Sequence, residues 1–356
     1  MAEPCPRCAT PVPEARCPQC GLVIGLYHAA LEKLRRGPTA APPGSGRGLA
    51  FHGSAWTLLG IHVVNVCFTL LTLGVFYFWG KARVRAYLYG QSEFEGDRFA
   101  YHGTGRELLV GFLKGLLVFG LPVVLLSVAP QVLRIPEAMT GALQTLLWVV
   151  GVILVPVAMV GARRYRLSRT SWRGIRFSFR GSAREFVGIF VLGSLLTSLT
   201  LGVYYPVFVT KRQAFMISHA YFGSRQFDFD GRGGALVGPF LVMALLFLPT
   251  LGLSWFWFSA RRHRYFTEHT RFGVTRFRST VEGGALAWLQ ISNLVSIVLT
   301  LGLAWPWTVA RSVRFYYHKV TLQGPLDLGD VRQDTRAASA TGEGLAGLLD
   351  VDFGVS

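Results

Sequence analysis

Residues 220–231 read Ala-Tyr-Phe-Gly-Ser-Arg-Gln-Phe-Asp-Phe-Asp-Gly. From Phe227 onward aromatic and acidic residues alternate, the two-residue period of a half-buried strand. The glycine turn before them predicts a small β-hairpin. The same spelling recurs along the chain. An aromatic closely followed by Gly precedes a Phe by five residues at Phe94/Phe99, Trp172/Phe177, Phe222/Phe227 and Phe272/Phe277. Three of these run on into aromatic-x-Gly, at Tyr101-His102-Gly103, Phe179-Arg180-Gly181 and Phe229-Asp230-Gly231, and Phe51-His52-Gly53 opens the series. Such spacing marks an internal repeat.

Between the hairpins lies a second signature. Thr-Leu-Gly occurs at 72–74, 200–202, 250–252 and 300–302, the last three copies fifty residues apart. Nine residues past each Gly stands a cation, Arg83, Lys211, Arg261 or Arg311, and four further on an aromatic, Tyr87, Phe215, Tyr265 or Phe315. That spacing predicts cation–aromatic pairs one helical turn apart, reading as interfacial anchors. One unit differs: between Tyr101 and Trp172 two apolar blocks, joined by the nearly uncharged linker 129–140, predict a full helical hairpin.

Of 356 residues 51% are hydrophobic and only 15% charged, against about 25% charged in ordinary soluble domains; mean hydropathy is +0.39. Apolar blocks at roughly 55–79, 108–128, 141–161, 186–209, 236–258 and 286–309 have the length a helix needs to cross a bilayer. The expected fold is therefore a mainly α membrane protein. About six apolar membrane segments fall in repeats of about fifty residues, with short β-hairpins at the membrane surface. The net charge of +17 sits just outside the apolar blocks. Attraction to the lipid bilayer and the positive-inside bias account for it, and no nucleic acid partner is expected.

Cys5-Pro-Arg-Cys8 and Cys17-Pro-Gln-Cys20-Gly21 are two Cys-x-x-Cys knuckles. Their four thiolates suit one tetrahedral structural zinc, which leaves no open position for catalysis. A pair of disulfides would need an exported N-terminus, and a thioredoxin-like motif a strand–helix context that is absent. The first residues lack the apolar core of an export signal, so the N-terminus is expected in the cytoplasm. The expected domains are a zinc ribbon over 1–25, a short helix and Pro/Gly linker over 26–50, a repeat-built multi-pass membrane domain over 51–323 and a disordered tail over 324–356. Cys67 reads as inert packing.

Sidedness does not close simply. Segments 80–107 and 162–185 carry five and eight basic residues against one in 129–140; 210–235, 259–285 and the C-terminal flank are basic too. Simple alternation of spans would put some of these outside. One orientation for all repeats requires each Thr-Leu-Gly block to enter and return on the same side. Nine residues of helix, roughly 14 Å, are too few to recross. The blocks then become half-depth hairpins, turning at Thr-Leu-Gly inside the membrane.

Ionisable or amide residues inside apolar blocks are functional candidates. His62, Asn65 and Asn293 form a candidate polar path; Lys114 and Gln290 are the others. Hydrogen bonding between helices and snorkelling are the plainer uses. Glu107 and Glu185 stand only at block entrances, which argues against carboxylate-coupled transport. Nucleophile elbow, phosphate loop and membrane-protease motifs are missing, so enzyme activity is not expected.

The stretch Phe51-His-Gly-Ser through Leu-Thr-Leu-Gly-Val-Phe-Tyr-Phe-Trp-Gly-Lys-Ala-Arg-Val-Arg, with Phe-Ala-Tyr-His-Gly-Thr-Gly-Arg-Glu-Leu at 99–108, resembles the YjgN-like bacterial inner-membrane proteins. The likeness covers roughly 51–323. It implies a multi-pass inner-membrane protein without an established biochemical function, and it transfers no catalytic residues. The N-terminal ribbon departs from that family's plain pattern. Together these readings predict a non-enzymatic scaffold whose zinc ribbon binds a cytoplasmic protein partner. The alternative is a transporter or channel whose path the repeats enclose.

Overall fold

The computed structural model describes residues 47–132, 136–326, 328–329 and 331–333. The chain divides into two compact units, Met1–Arg47 and Gly48–Ser356. Cys5, Cys8, Cys17 and Cys20, with the expected ribbon, lie outside the described residues.

The second unit is built from five βααβ repeats. The first runs through β1 (Arg47–Phe51), α1 (Ala55–Leu71), α2 (Tyr77–Gly90) and β2 (Ser92–Phe94). The second has β3 (Asp97–Tyr101), α3 (105–132, π-wound over Leu116–Gly120), α4 (Glu137–Ser168) and β4 (Thr170–Trp172). The third has β5 (Ile175–Phe179), α5 (Ala183–Leu199), α6 (Tyr205–Ser218) and β6 (Ala220–Phe222). The fourth has β7 (Arg225–Phe229), α7 (Gly233–Phe247), α8 (Ser254–Glu268) and β8 (Thr270–Phe272). The fifth has β9 (Thr275–Ser279), α9 (Gly283–Leu299), α10 (Trp305–Lys319) and β10 (Val320–Gln323).

Within each repeat the long first strand pairs antiparallel with the short last one, in one register: Phe51↔Ser92, Tyr101↔Thr170, Phe179↔Ala220, Phe229↔Thr270 and Ser279↔Val320. Two-residue turns then link each repeat to the next. Glu95-Gly96 and Arg173-Gly174 have positive φ at both residues, whereas at the next two turns Gly223 and Gly273 alone take it. These are the φ signs of the primed turns that match strand twist. The ten strands close into a barrel in the order β1-β10-β9-β8-β7-β6-β5-β4-β3-β2.

This closure overturns the expectation of a mainly α protein with about six membrane segments. Strands that look like separate surface hairpins pair edge to edge, because an open edge is unstable and a closed ring has none. The apolar blocks are interrupted at Thr-Leu-Gly, so α1, α5 and α9 have 17 residues each, about 26 Å. Among the described residues one helix, Met139–Ser168, is long and apolar enough to cross a membrane.

The aromatic alternation fills the barrel. Phe94, Trp172, Phe222, Phe272 and Leu322, each the third residue of a short strand, form a buried ring, against which Leu49, Phe99, Phe177, Phe227 and Phe277 of the long strands pack. Burying each large side chain contributes about 1.5–3 kcal/mol. The turn end is covered by the chain itself: Leu326, Leu328 and Val331 pack on the same ring. Thr275 Oγ1 donates to Pro325 O at 2.7 Å, and Ser224 N to Arg332 O at 2.9 Å. Pro325, Leu326, Leu328, Val331 and Arg332 belong to the segment 324–356 expected to be disordered, and they are folded onto the barrel.

Aromatic-x-Gly is a packing device. A Cβ on Gly53, Gly103, Gly181 or Gly231 would come within 2.2–2.7 Å of the aromatic side chain two residues earlier. The fifth repeat reads Ser279-Thr280-Val281 instead, with Val281 fully buried. The small Ser leaves the room that the Val fills.

Candidate functional site: the helical crown

All long strands leave the barrel at one rim and all short strands begin there, so the five helical hairpins rise from that rim as a crown. Four end in Thr-Leu-Gly, and the geometry explains the spelling. Each Thr hydroxyl donates to the carbonyl four residues back, at Phe68, Leu196, Leu246 and Ser296 (2.6–2.7 Å). It accepts from the N–H four residues on, at Phe76, Tyr204, Ser254 and Ala304 (2.9–3.1 Å). One side chain thus serves the end of one helix and the start of the next. The Gly N–H bonds the carbonyl five residues back at 2.7–2.8 Å, the helix-ending bond of a Schellman corner.

The Leu between them is the anomaly. Leu73, Leu201, Leu251 and Leu301 have φ of 49–51° and are 94–95% exposed. The left-handed backbone costs a side-chain-bearing residue about 1–2 kcal/mol. Within the fold these four leucines touch almost nothing that offsets it. Around them much of the crown surface is apolar as well, including Leu70, Leu71, Leu199, Leu248 and Leu299.

The polar residues inside the apolar blocks sit between helices. Asn65 and Asn293 occupy the same position of the first and fifth repeats, where the first helix meets the second of its own hairpin. Asn65 Nδ2 donates to Gly80 O at 3.3 Å, and Asn293 Nδ2 to Ser312 Oγ at 3.0 Å. In the third repeat that place is Gly193, filled by the Phe208 ring. The His62 ring lies 5.0 Å from Trp305, at the junction of the first and fifth repeats. Each of the three is engaged at a different helix contact. Gln290, Lys114 and Cys67 are exposed.

In the predicted cation–aromatic pairs the two members face different surroundings. Arg83, Lys211, Arg261 and Arg311 are exposed. Arg83 lies over Phe76 (5.2 Å) and Lys211 over Tyr204 (5.8 Å), rings seven residues earlier. Arg311 Nη1 donates to Ser292 Oγ at 2.8 Å. The aromatics turn toward the barrel. Tyr87 Oη accepts from Ser54 N at 2.7 Å and donates to Ser54 O at 3.2 Å; Tyr265 does the same with Arg232 N and O at 2.7 and 2.9 Å. Phe215 packs on Phe186, and Phe315 on the cluster around Val281.

Three arginines that the sequence reading passes over join neighbouring repeats. Arg164 Nη2 donates to Gly181 O (2.8 Å), Arg264 Nη1 to Val281 O (2.8 Å) and Arg314 Nη2 to Gly53 O (2.6 Å). Arg264 and Arg314 stand three residues after the cations Arg261 and Arg311, a spacing visible in the sequence, whereas three residues before Arg164 the second repeat has Gly161. Glu107, at the foot of α3, holds Arg169 (2.7 Å) and accepts from Tyr165 Oη (3.0 Å). In the foot of α8, burial and the Arg262 guanidinium hold the His263 imidazole below its ordinary range. Its Nδ1 lies 3.2 Å from Ser279 Oγ and its ring lies tilted against Tyr316, centroids 5.2 Å apart.

A profile for bacterial proteins of unknown function (DUF898) matches residues 47–253 and 238–348. Inner membrane protein YjgN of Escherichia coli (strain K12) is 32% identical over 155 residues, 44% of this chain and 36% of that protein. Its counterpart in Salmonella typhimurium is 31% identical over 137 residues, 38% of this chain and 32% of that protein. The chain thus matches about a third of the length of these relatives. No solved structure matches it. The names of the relatives support an inner-membrane location. With the profile spanning the whole barrel and crown, the chain belongs to the bacterial family of unknown function DUF898.

Proposed function

We propose that the protein is a non-enzymatic membrane platform. In this reading the barrel sits at the cytoplasmic face. The four short hairpins dip into one leaflet by their leucine tips, and the long hairpin of the second repeat crosses the bilayer. The N-terminal cysteines hold a structural zinc and recruit a cytoplasmic protein partner. The observation that carries the reading is the set of four strained, exposed leucines at the crown tips. Leucine in a left-handed corner is unfavourable in water and in the fold alike, but its side chain gains on entering hydrocarbon.

Two further features support it. With every repeat returning to one rim, the basic segments between hairpins collect on the barrel side, as the positive-inside bias requires of a cytoplasmic face. The barrel is filled by its aromatic ring, which favours a platform over a conduit.

Single cysteines in a variant without the native ones test this. Val274→Cys, at an exposed hairpin turn, is expected to react with an impermeant maleimide only in inside-out vesicles. Leu201→Cys is expected to stay shielded from both sides. Labelling of Leu201→Cys from the periplasm would overturn the half-depth arrangement.

A further inference from the structure

We propose that the seam between the first and second hairpins is a binding site for one anionic phospholipid. Its acyl chain lies in the seam and its phosphate at Lys81. The proposal rests on the membrane-embedded reading and adds a ligand to it.

The seam holds a cleft of about 550 Å³, within the range of small-molecule sites. Leu73, Phe78, Leu109, Phe112 and Leu113 line it, with Lys81 as its cation. Its floor is firm: the Phe78 ring lies tilted against Phe112, centroids 5.1 Å apart, and packs on the buried cluster of Ala82, Leu108 and Tyr165. The cleft exists because the crown has a step here. The first hairpin turns back at Gly74, whereas α3 continues to residue 132 beside it. From the level of Leu113 that leaves roughly 28 Å of helix without the short hairpin as a neighbour.

The occupant follows from chemistry and depth. Walls this apolar suit hydrocarbon. Lys81 lies seven residues barrel-ward of Gly74, about 10 Å along the helix. With the tips buried deepest, that is the side where headgroups lie. An ammonium there complements a phosphodiester, and a lysine at the surface of an anionic membrane favours acidic lipid. Lys81 Nζ lies 5.7 Å from the Tyr77 ring and Lys211 Nζ 5.8 Å from Tyr204; Lys211, which does not line the cleft, serves as the control.

The test uses the full chain in vesicles of phosphatidylcholine and phosphatidylglycerol, extracted gently. Lipid retained per protein is counted by headgroup class using native mass spectrometry. The wild type is expected to keep about one phosphatidylglycerol. Lys81→Gln is expected to lower that retention about fivefold, Leu109→Trp to lower it by filling the cleft, and Lys211→Gln to leave it unchanged. Equal retention of the two lipids, or wild-type retention by Lys81→Gln, overturns the site. Lys81→Gln decides the matter if Leu109→Trp does not fold. A chain that leaves the membrane on a carbonate wash defeats the embedding reading, and this one with it. A chain held firmly but without headgroup preference defeats the lipid site alone.

Discussion

The guanidinium of Arg314, in the last repeat, donates to the carbonyl oxygen of Gly53, in the first, at 2.6 Å. The ends of the described chain are thus joined by the same bond that joins repeats in its middle. Arg164 and Arg264 make it to Gly181 and Val281. A hydrogen bond from a charged donor contributes about 1.5–3 kcal/mol. Arg314→Gln is expected to lower stability by about that much, and Arg314→Lys by less. Thermal unfolding in detergent checks both, and an unchanged midpoint would remove the latch from the account.

The Thr-Leu-Gly corner separates stability from membrane retention. Thr200→Ala removes the acceptor for Tyr204 N and the donor to Leu196 O, at an expected cost of about 1–2 kcal/mol. Leu201→Gly relieves the left-handed strain and is expected to stabilise the detergent-solubilised protein by about 1 kcal/mol. It is also expected to weaken the grip on vesicles, seen as easier carbonate extraction. If both properties moved together, the leucines would have a structural role instead.

The fifth repeat predicts a rescue. Gly231→Val places methyls against the Phe229 ring and is expected to cost about 1–3 kcal/mol as overpacking. Adding Phe229→Ser recreates Ser279 and Val281 in the fourth repeat, and is expected to recover much of the loss. The double-mutant cycle measures that coupling.

Acid should weaken the foot of α8. His263 is held neutral in the folded state by burial and Arg262, while Ser279, Tyr316 and Arg262 face it. Its folded pKa lies below the unfolded value of about 6.5. The unfolded chain therefore takes the proton first, and stability falls as pH drops below about 6.5. His263→Gln is expected to flatten that limb of the pH–stability curve. A curve of unchanged slope would assign the acid sensitivity to other groups.

The N-terminal knuckles have their own measurement. Cys5→Ser with Cys17→Ser is expected to abolish stoichiometric zinc, read by elemental analysis, while thermal unfolding of the barrel and crown stays as in the wild type. Wild-type protein without bound zinc would defeat the metal reading.

Much of the repeat is readable in the residues, because both corners spend rare combinations. Phe-x-Gly needs a missing Cβ, and Thr-Leu-Gly needs a hydroxyl that both donates and accepts. The strands lie where the aromatic alternation puts them. Ring closure is not legible, since periodicity shows which face of a strand is buried and not which edge finds a partner. The fifth repeat hides one signature behind the exchange of Ser279 and Val281. In the second, the longer helices carry Tyr165 out of the fifty-residue register, although it stands at the same place as Tyr87. Hydropathy misled for a simpler reason. A helix of 17 residues ending in an apolar corner and another apolar helix averages like one long span. The candidate polar residues were visible, but not that each meets a different helix contact.

The second repeat carries helices nearly twice as long as the others, yet its strands keep the common register, Tyr101↔Thr170. The barrel holds each hairpin only by its feet. Arm length is therefore free to vary one arm at a time, as tent poles of different height can stand in identical sockets. A lineage, or a designer, can deepen, shorten or retip a single arm and change what one sector of the protein meets in the membrane, without renegotiating the base on which all five stand.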